Sequence, residues 1–167
     1  MPAKLSTTLS KNQQISNKEN ASVILNLYEF MKENGTSERH QNNNLKAIIA
    51  FSNFNESKNL TLIDNREDIS LFLNTKIKNK NEDPDQKGNT TYNDYLHRIK
   101  HFFRWLKNKN ENTTNTSMDL WITPHFLTPL KPKKTKRISP YLESEIWDKD
   151  EYLSIIKFES HPRNKAA

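Results

Sequence analysis

Tyr92-Asn-Asp-Tyr-Leu-His-Arg-Ile-Lys-His-Phe-Phe-Arg-Trp-Leu106 is the stretch whose reading decides the fold. Its residues Tyr92, Tyr95, Leu96, Ile99, Phe102, Phe103 and Leu106 recur at helical spacing, and at about 100° per residue they share one stripe. The spacing predicts a helix from Thr91 to about Asn108 with that stripe in the core. The other side carries His97, Arg98, His101 and Arg104, with Lys100 and Lys107 on a flank. No acidic residue lies between His97 and Lys109, and Trp105 falls well off the stripe, near Arg98. Two readings of this face stand side by side. One is a solvated basic face. The other is a helix lying against DNA, its Arg and His on phosphates and guanine edges and Trp105 at the margin. Mutual repulsion among uncompensated cations is relieved by a polyanion, which tilts the balance toward DNA.

Upstream, three more helices follow from periodicity and caps. Residues 1–17 are polar and aperiodic and are expected to be a disordered tail. Val23, Ile24, Leu27, Tyr28 and Met31 then fall on one face, with Asn17 or Asn20 as cap and Asn34-Gly35 as the stop. Ser37 opens the next helix, to about Phe54. Its first half (Glu38, Arg39, His40, Gln41, Asn42, Asn43, Asn44) is wholly polar, and only its second half, with Leu45, Ile48, Ile49 and Phe51, has an apolar face. Such a start is either a solvated helix end or a surface offering Arg39, His40, Asn42, Asn43 and Lys46 to phosphates and base edges. A third helix fits Asn65 to about Lys78, with Glu67 and Asp68 favourably placed in its first turn. Residues 79–88 read as a loop.

Downstream, two prolines in Trp121-Ile-Thr-Pro-His-Phe-Leu-Thr-Pro-Leu130 forbid a regular helix. They suggest an extended segment pinned by Trp121, Phe126 and Leu127. The run 131–137 holds five cations, Lys131, Lys133, Lys134, Lys136 and Arg137, among bracketing prolines. It reads as an extended basic linker, either a solvated tether or a track along a DNA backbone. One more helix is expected from about Lys149 to Phe158, and Arg163-Asn-Lys-Ala-Ala167 reads as the first turn of another, a cue to truncation.

Composition bounds these readings. In 167 residues, 33% are hydrophobic and the formal net charge is +6, with a mean hydropathy of -0.96. That supports a modest core and a surface attractive to nucleic acid. The absence of cysteine excludes disulfides and thiol chemistry. Glycine occurs only at Gly35 and Gly88, so no clustered-glycine phosphate loop can form. There is no apolar run of signal-peptide or membrane-spanning length, which leads to the expectation of a cytoplasmic protein. His97 and His101 are four residues apart, but Arg98 stands where a zinc peptidase motif has Glu. No metal, no cofactor and no catalytic constellation is expected.

The stretch 92–106 resembles the last major helix of the core-binding, SAM-like domain of tyrosine recombinases. Asn42-Asn-Asn-Leu-Lys-Ala-Ile-Ile-Ala-Phe-Ser-Asn-Phe54 is similar to that domain's second helix. Leu142-Glu-Ser-Glu-Ile-Trp147 through Ile155-Ile156 resembles the entry into the catalytic domain, and Arg163-Asn-Lys-Ala-Ala167 the helix after it. Lys133-Lys-Thr-Lys-Arg-Ile-Ser-Pro-Tyr141 is most similar to archaeal integrases. The resemblance implies an all-α chain: a four-to-five-helix, SAM-like orthogonal bundle over 18–130, a basic linker over 131–141, and the truncated start of a catalytic domain over 142–167. It implies duplex DNA, at an attachment-like site, as the partner, with other recombinase protomers as further partners and a nucleoid-associated location. The helices carrying Arg39 to Lys46 and His97 to Arg104 are then the ones against the major groove. The family's catalytic Arg, Lys, His-x-x-Arg and Tyr match nothing here, which leads to the expectation of a DNA-binding module that is not itself an enzyme. The alternative is a truncated integrase acting as a non-catalytic regulator or protein-interaction module.

Overall fold

The computed structural model describes residues 4–78, 81–83, 86–110, 118–135 and 148–158. Among them the chain is all-helical. It forms α1 (Leu5–Gln13), α2 (Lys18–Glu33), α3 (Glu38–Phe54), α4 (Arg66–Asn74), α5 (Lys87–Asn110) and α6 (Lys149–Phe158), with short 3-10 turns at Leu60–Leu62, Met118–Leu120 and His125–Leu127. The chain divides into two units, Met1–Thr135 and Lys136–Ala167. No described helix is long and apolar enough to cross a membrane.

In the first unit, α5 is the axis. Its stripe of Tyr92, Leu96, Ile99, Phe102, Phe103 and Leu106 is buried against α3 and α4. Aromatic edges join the three helices: Phe51 meets Phe72 at 5.2 Å and Phe103 at 6.1 Å, and Phe72 meets Tyr95 at 5.5 Å. Such tilted and edge-on pairs put the positive rim of one ring against the negative face of another. Trp105 corrects the reading from helical spacing. It lies off the stripe, yet it is 2% exposed, packed on Phe102 and on Phe30 of α2. α5 is covered over a wider arc than one stripe, because α2 and the returning segment around Trp121 close over its second side.

The N-terminal tail is corrected too. Residues 5–13 form α1, which packs on α3 and α2. Its buried positions are Thr8 and Asn12, with Leu5 and Leu9 only partly covered. The interface works because its polar groups are paired: Thr8 Oγ1 donates to Asn42 Oδ1 at 2.6 Å and Asn12 Nδ2 to the Ala21 carbonyl at 2.9 Å. A helix that buries polar residues leaves almost no apolar period to read.

Local chemistry sets the helix ends. The Asn17 side chain accepts from the backbone N–H of Glu19 and Asn20 and caps α2. At its other end Gly35 takes φ +67°, Gly35 N donates to Lys32 O and Thr36 N to Met31 O, the paired bonds of a Schellman stop. α4 is shorter than expected. α5 starts earlier, inside the expected loop, because both oxygens of Asp83 accept from the N–H groups of Lys87 and Gly88, at 2.8 and 2.6 Å. Those bonds hold the Asp83 carboxyl below its ordinary range. A Cβ on Gly88 would come 3.0 Å from the Lys76 carbonyl and 3.1 Å from Asp83, so glycine is what lets the turn close.

In the second unit, α6 is described by itself. Asp148 accepts from the N–H groups of Asp150 and Glu151, both at 2.8 Å, while Glu151 accepts from Asp148 N at 3.0 Å. This reciprocal capping box starts α6 where the periodicity places it. Arg163–Ala167, read as a further first turn, lies outside the described residues.

Candidate nucleic-acid interface

The polar first half of α3 is exposed on two sides. Arg39, Asn42, Asn43 and Lys46 turn toward α1 and, with Lys4, Leu5 and Glu38, line a groove of about 600 Å³. His40 turns the other way. Together with His101 of α5, Thr36, Ser37, Phe30, Met31 and Met118 it lines a cavity of about 340 Å³. Gln41 and Asn44 are buried and are spent locally. Gln41 Nε2 donates to the Thr36 carbonyl at 2.6 Å and Asn44 Nδ2 to the His40 carbonyl at 2.9 Å. The helix therefore has a structural reason for its polar start, alongside any reason a ligand would supply.

On α5 the four residues expected on DNA separate into different roles. His97 is exposed. Arg98 is paired: its Nε and Nη2 donate to the two oxygens of Asp94 at 2.9 and 2.6 Å. The face looked uncompensated because the carboxylate stands one turn before it, outside the window read. Arg104 is a clamp on the fold, its Nη2 donating to the carbonyls of Met118 and Trp121, both at 3.0 Å. His101 is largely covered and stacks on Trp121 with ring centroids 6.1 Å apart. Burial first, and then the charges of His40, His97 and Arg104, push its pKa down to about 4, so the imidazole is neutral near pH 7. Arg104 and His101 thus serve the packing, and the free cationic face is smaller than the sequence suggests.

The basic run 131–137 is held where it is described. Asn93 of α5 grips Lys133 by both backbone groups, donating to its carbonyl at 2.8 Å and accepting from its N–H at 2.7 Å. Asn89 donates to the Lys134 carbonyl at 2.8 Å and Lys100 to the Leu130 carbonyl at 2.7 Å. Lys133 Nζ lies 5.1 Å from the centre of the Tyr92 ring. Lys131, Lys133 and Lys134 are exposed on this strap. Burial, and then the charge of Lys131, lower the pKa of Lys100. Lys136 and Arg137 lie outside the described residues.

Sequence reasoning missed the asparagines. Asn20, expected as a possible cap, is 1% exposed and spans to the loop before α4, donating to Lys58 O at 3.0 Å and accepting from Leu60 N at 2.8 Å. Asn93 and Asn89 do the same for the strap. A single sequence rich in asparagine offers no signal that separates these from surface residues. Among the described residues no group of His, Asp and Glu could hold a metal.

Comparison with known protein families, with curated proteins and with solved structures finds no match to this chain.

Proposed function

We propose that this chain binds duplex DNA, as the core-binding part of a tyrosine-recombinase-like protein, and that it contributes positioning on DNA rather than catalysis. The observation that carries the reading is the position of α5 between the two other basic elements. Across His101 it meets His40 at the polar start of α3, and through Asn93, Asn89 and Lys100 it holds the strap with Lys131, Lys133 and Lys134. α5 thereby stands between the polar start of α3, where Arg39 and His40 are exposed on its two sides, and the strap with exposed Lys131, Lys133 and Lys134, while His97 is exposed on α5 itself. The charge at Lys100 supports the same reading: burial first, and then the neighbouring charge of Lys131, lower its pKa, and a phosphate beside the two would offset the repulsion.

The interface proposed here differs from the one expected in sequence. Arg39, His40, Asn43 and Lys46 remain on α3, His97 remains on α5, and the strap supplies Lys131, Lys133 and Lys134. Arg98 contributes only if it leaves Asp94, and His101 and Arg104 act by shaping the surface. The orthogonal, SAM-like arrangement of the bundle belongs to this proposal as well. The test is fluorescence anisotropy with a labelled 30-base-pair duplex. Combining Arg39→Ala with Lys131→Ala and Lys134→Ala should weaken binding by roughly 10- to 100-fold near 0.1 M salt, since each change removes a phosphate-reaching cation. Unchanged affinity in a folded triple variant overturns the assignment of this face.

A further inference from the structure

α1 was not expected to exist, and its start lies against the part of α3 assigned to DNA. Lys4, the residue at which α1 begins, shares a groove of about 600 Å³ with Arg39, Asn43 and Lys46 of α3. The groove's lining carries three cations against one carboxylate, Glu38. Lys4 is exposed, and its side chain makes no capping hydrogen bond. The two walls are fixed relative to one another by the Thr8–Asn42 hydrogen bond of 2.6 Å, one turn along α1 from the groove, and by the burial of Thr8 and Asn12 beneath it. An open cationic groove with the Asn43 amide in its lining suits a phosphodiester backbone: ammonium and guanidinium groups meet the non-bridging oxygens, and an amide can donate to them without a charge of its own.

We infer that the groove between α1 and α3 seats one strand of the DNA backbone, with Lys4 contacting phosphate from the α1 side while Arg39 and Lys46 contact it from α3. The inference rests on the DNA-binding reading above and adds α1 to the interface. A backbone so held fixes the register of α3 on the duplex, because phosphate contacts position a protein without reading sequence. It also gives the Thr8–Asn42 hydrogen bond between α1 and α3 a purpose, since that bond helps to hold Lys4 at a set distance from Arg39.

The experiment measures binding of the full chain to a labelled 30-base-pair duplex at several salt concentrations, for the wild type, Lys4→Ala, Lys4→Arg and Lys11→Ala. Lys11 is exposed on α1 but does not line the groove, so it reports the effect of one charge on the same helix. Lys4→Ala should weaken binding several-fold and reduce the slope of log affinity against log salt by about 1. Lys4→Arg should retain both, and Lys11→Ala should change them less. If the wild type binds and Lys4→Ala matches either the wild type or Lys11→Ala, the groove is not a backbone seat, while the function proposed for the rest of the face stands. If the wild type fails to bind duplex at all, the functional reading fails and the groove assignment falls with it. Circular dichroism of each variant confirms that α1 and the bundle are intact. Among the described residues, Lys4 has no side-chain hydrogen bond to lose.

Discussion

At the scale of single residues, the molecule uses charge and polarity more for construction than its composition suggests. Arg104 ties α5 to the 118–121 segment, and His101 lies under Trp121 as an uncharged ring. The histidine makes stability depend on pH. Its folded-state pKa is lowered to about 4 from an ordinary 6.5. Between those values the unfolded chain binds a proton that the folded chain does not. Stability contributed by the neutral ring is therefore complete above about pH 6.5 and declines as pH falls toward 4, by at most about 3 kcal/mol. His101→Phe keeps a ring against Trp121 and cannot titrate. Urea denaturation at pH 4.5 and pH 7 should show a smaller difference for this variant than for the wild type. An equal difference would mean that His101 is not the group responsible.

At the scale of elements, what periodicity could reveal was there to be read. α2, α3 and α6 have their expected limits because each carries an apolar face at helical spacing; Asn17 caps α2 with its side chain, whereas Ser37 stands at the start of α3 without a side-chain capping bond. α1 was illegible because it buries Thr8 and Asn12 in place of apolar residues. The beginning of α5 was illegible because its cap, Asp83, sits in a run of turn residues. The candidate site divides in the same way. Arg39, His40 and His97 are exposed as expected, whereas Trp105 is covered by Phe30 of α2, and His101 and Arg104 by the segment around Trp121, none of which a helical wheel contains. Asn20 exemplifies the hidden class. Asn20→Ala leaves the buried Leu60 N–H without its partner and removes the bond to the partly covered Lys58 carbonyl, which should cost about 2–3 kcal/mol. Thermal unfolding of the variant measures it, and a loss below about 0.5 kcal/mol would show that the Asn20 bridge is not what holds this loop.

At the scale of the whole molecule, the first unit packs its helices on one apolar core, and its basic residues are not all available for a partner. What remains in that unit after the internal pairs are subtracted is a set of exposed residues, Arg39 and His40 on α3, His97 on α5, and Lys131, Lys133 and Lys134 on the strap. The net charge of +6 alone would permit weak attraction to any polyanion. A defined set of cations makes a narrower prediction, because the number of phosphates contacted sets how steeply affinity depends on salt. The salt dependence of duplex binding tests this most directly. For the wild type, log affinity should fall linearly with log salt, with a slope of about −0.9 for each phosphate contacted. The slope should become shallower by about 2–3 when Arg39, Lys131 and Lys134 are replaced by alanine. No binding at low salt, or the same slope in wild type and variant, would contradict the account.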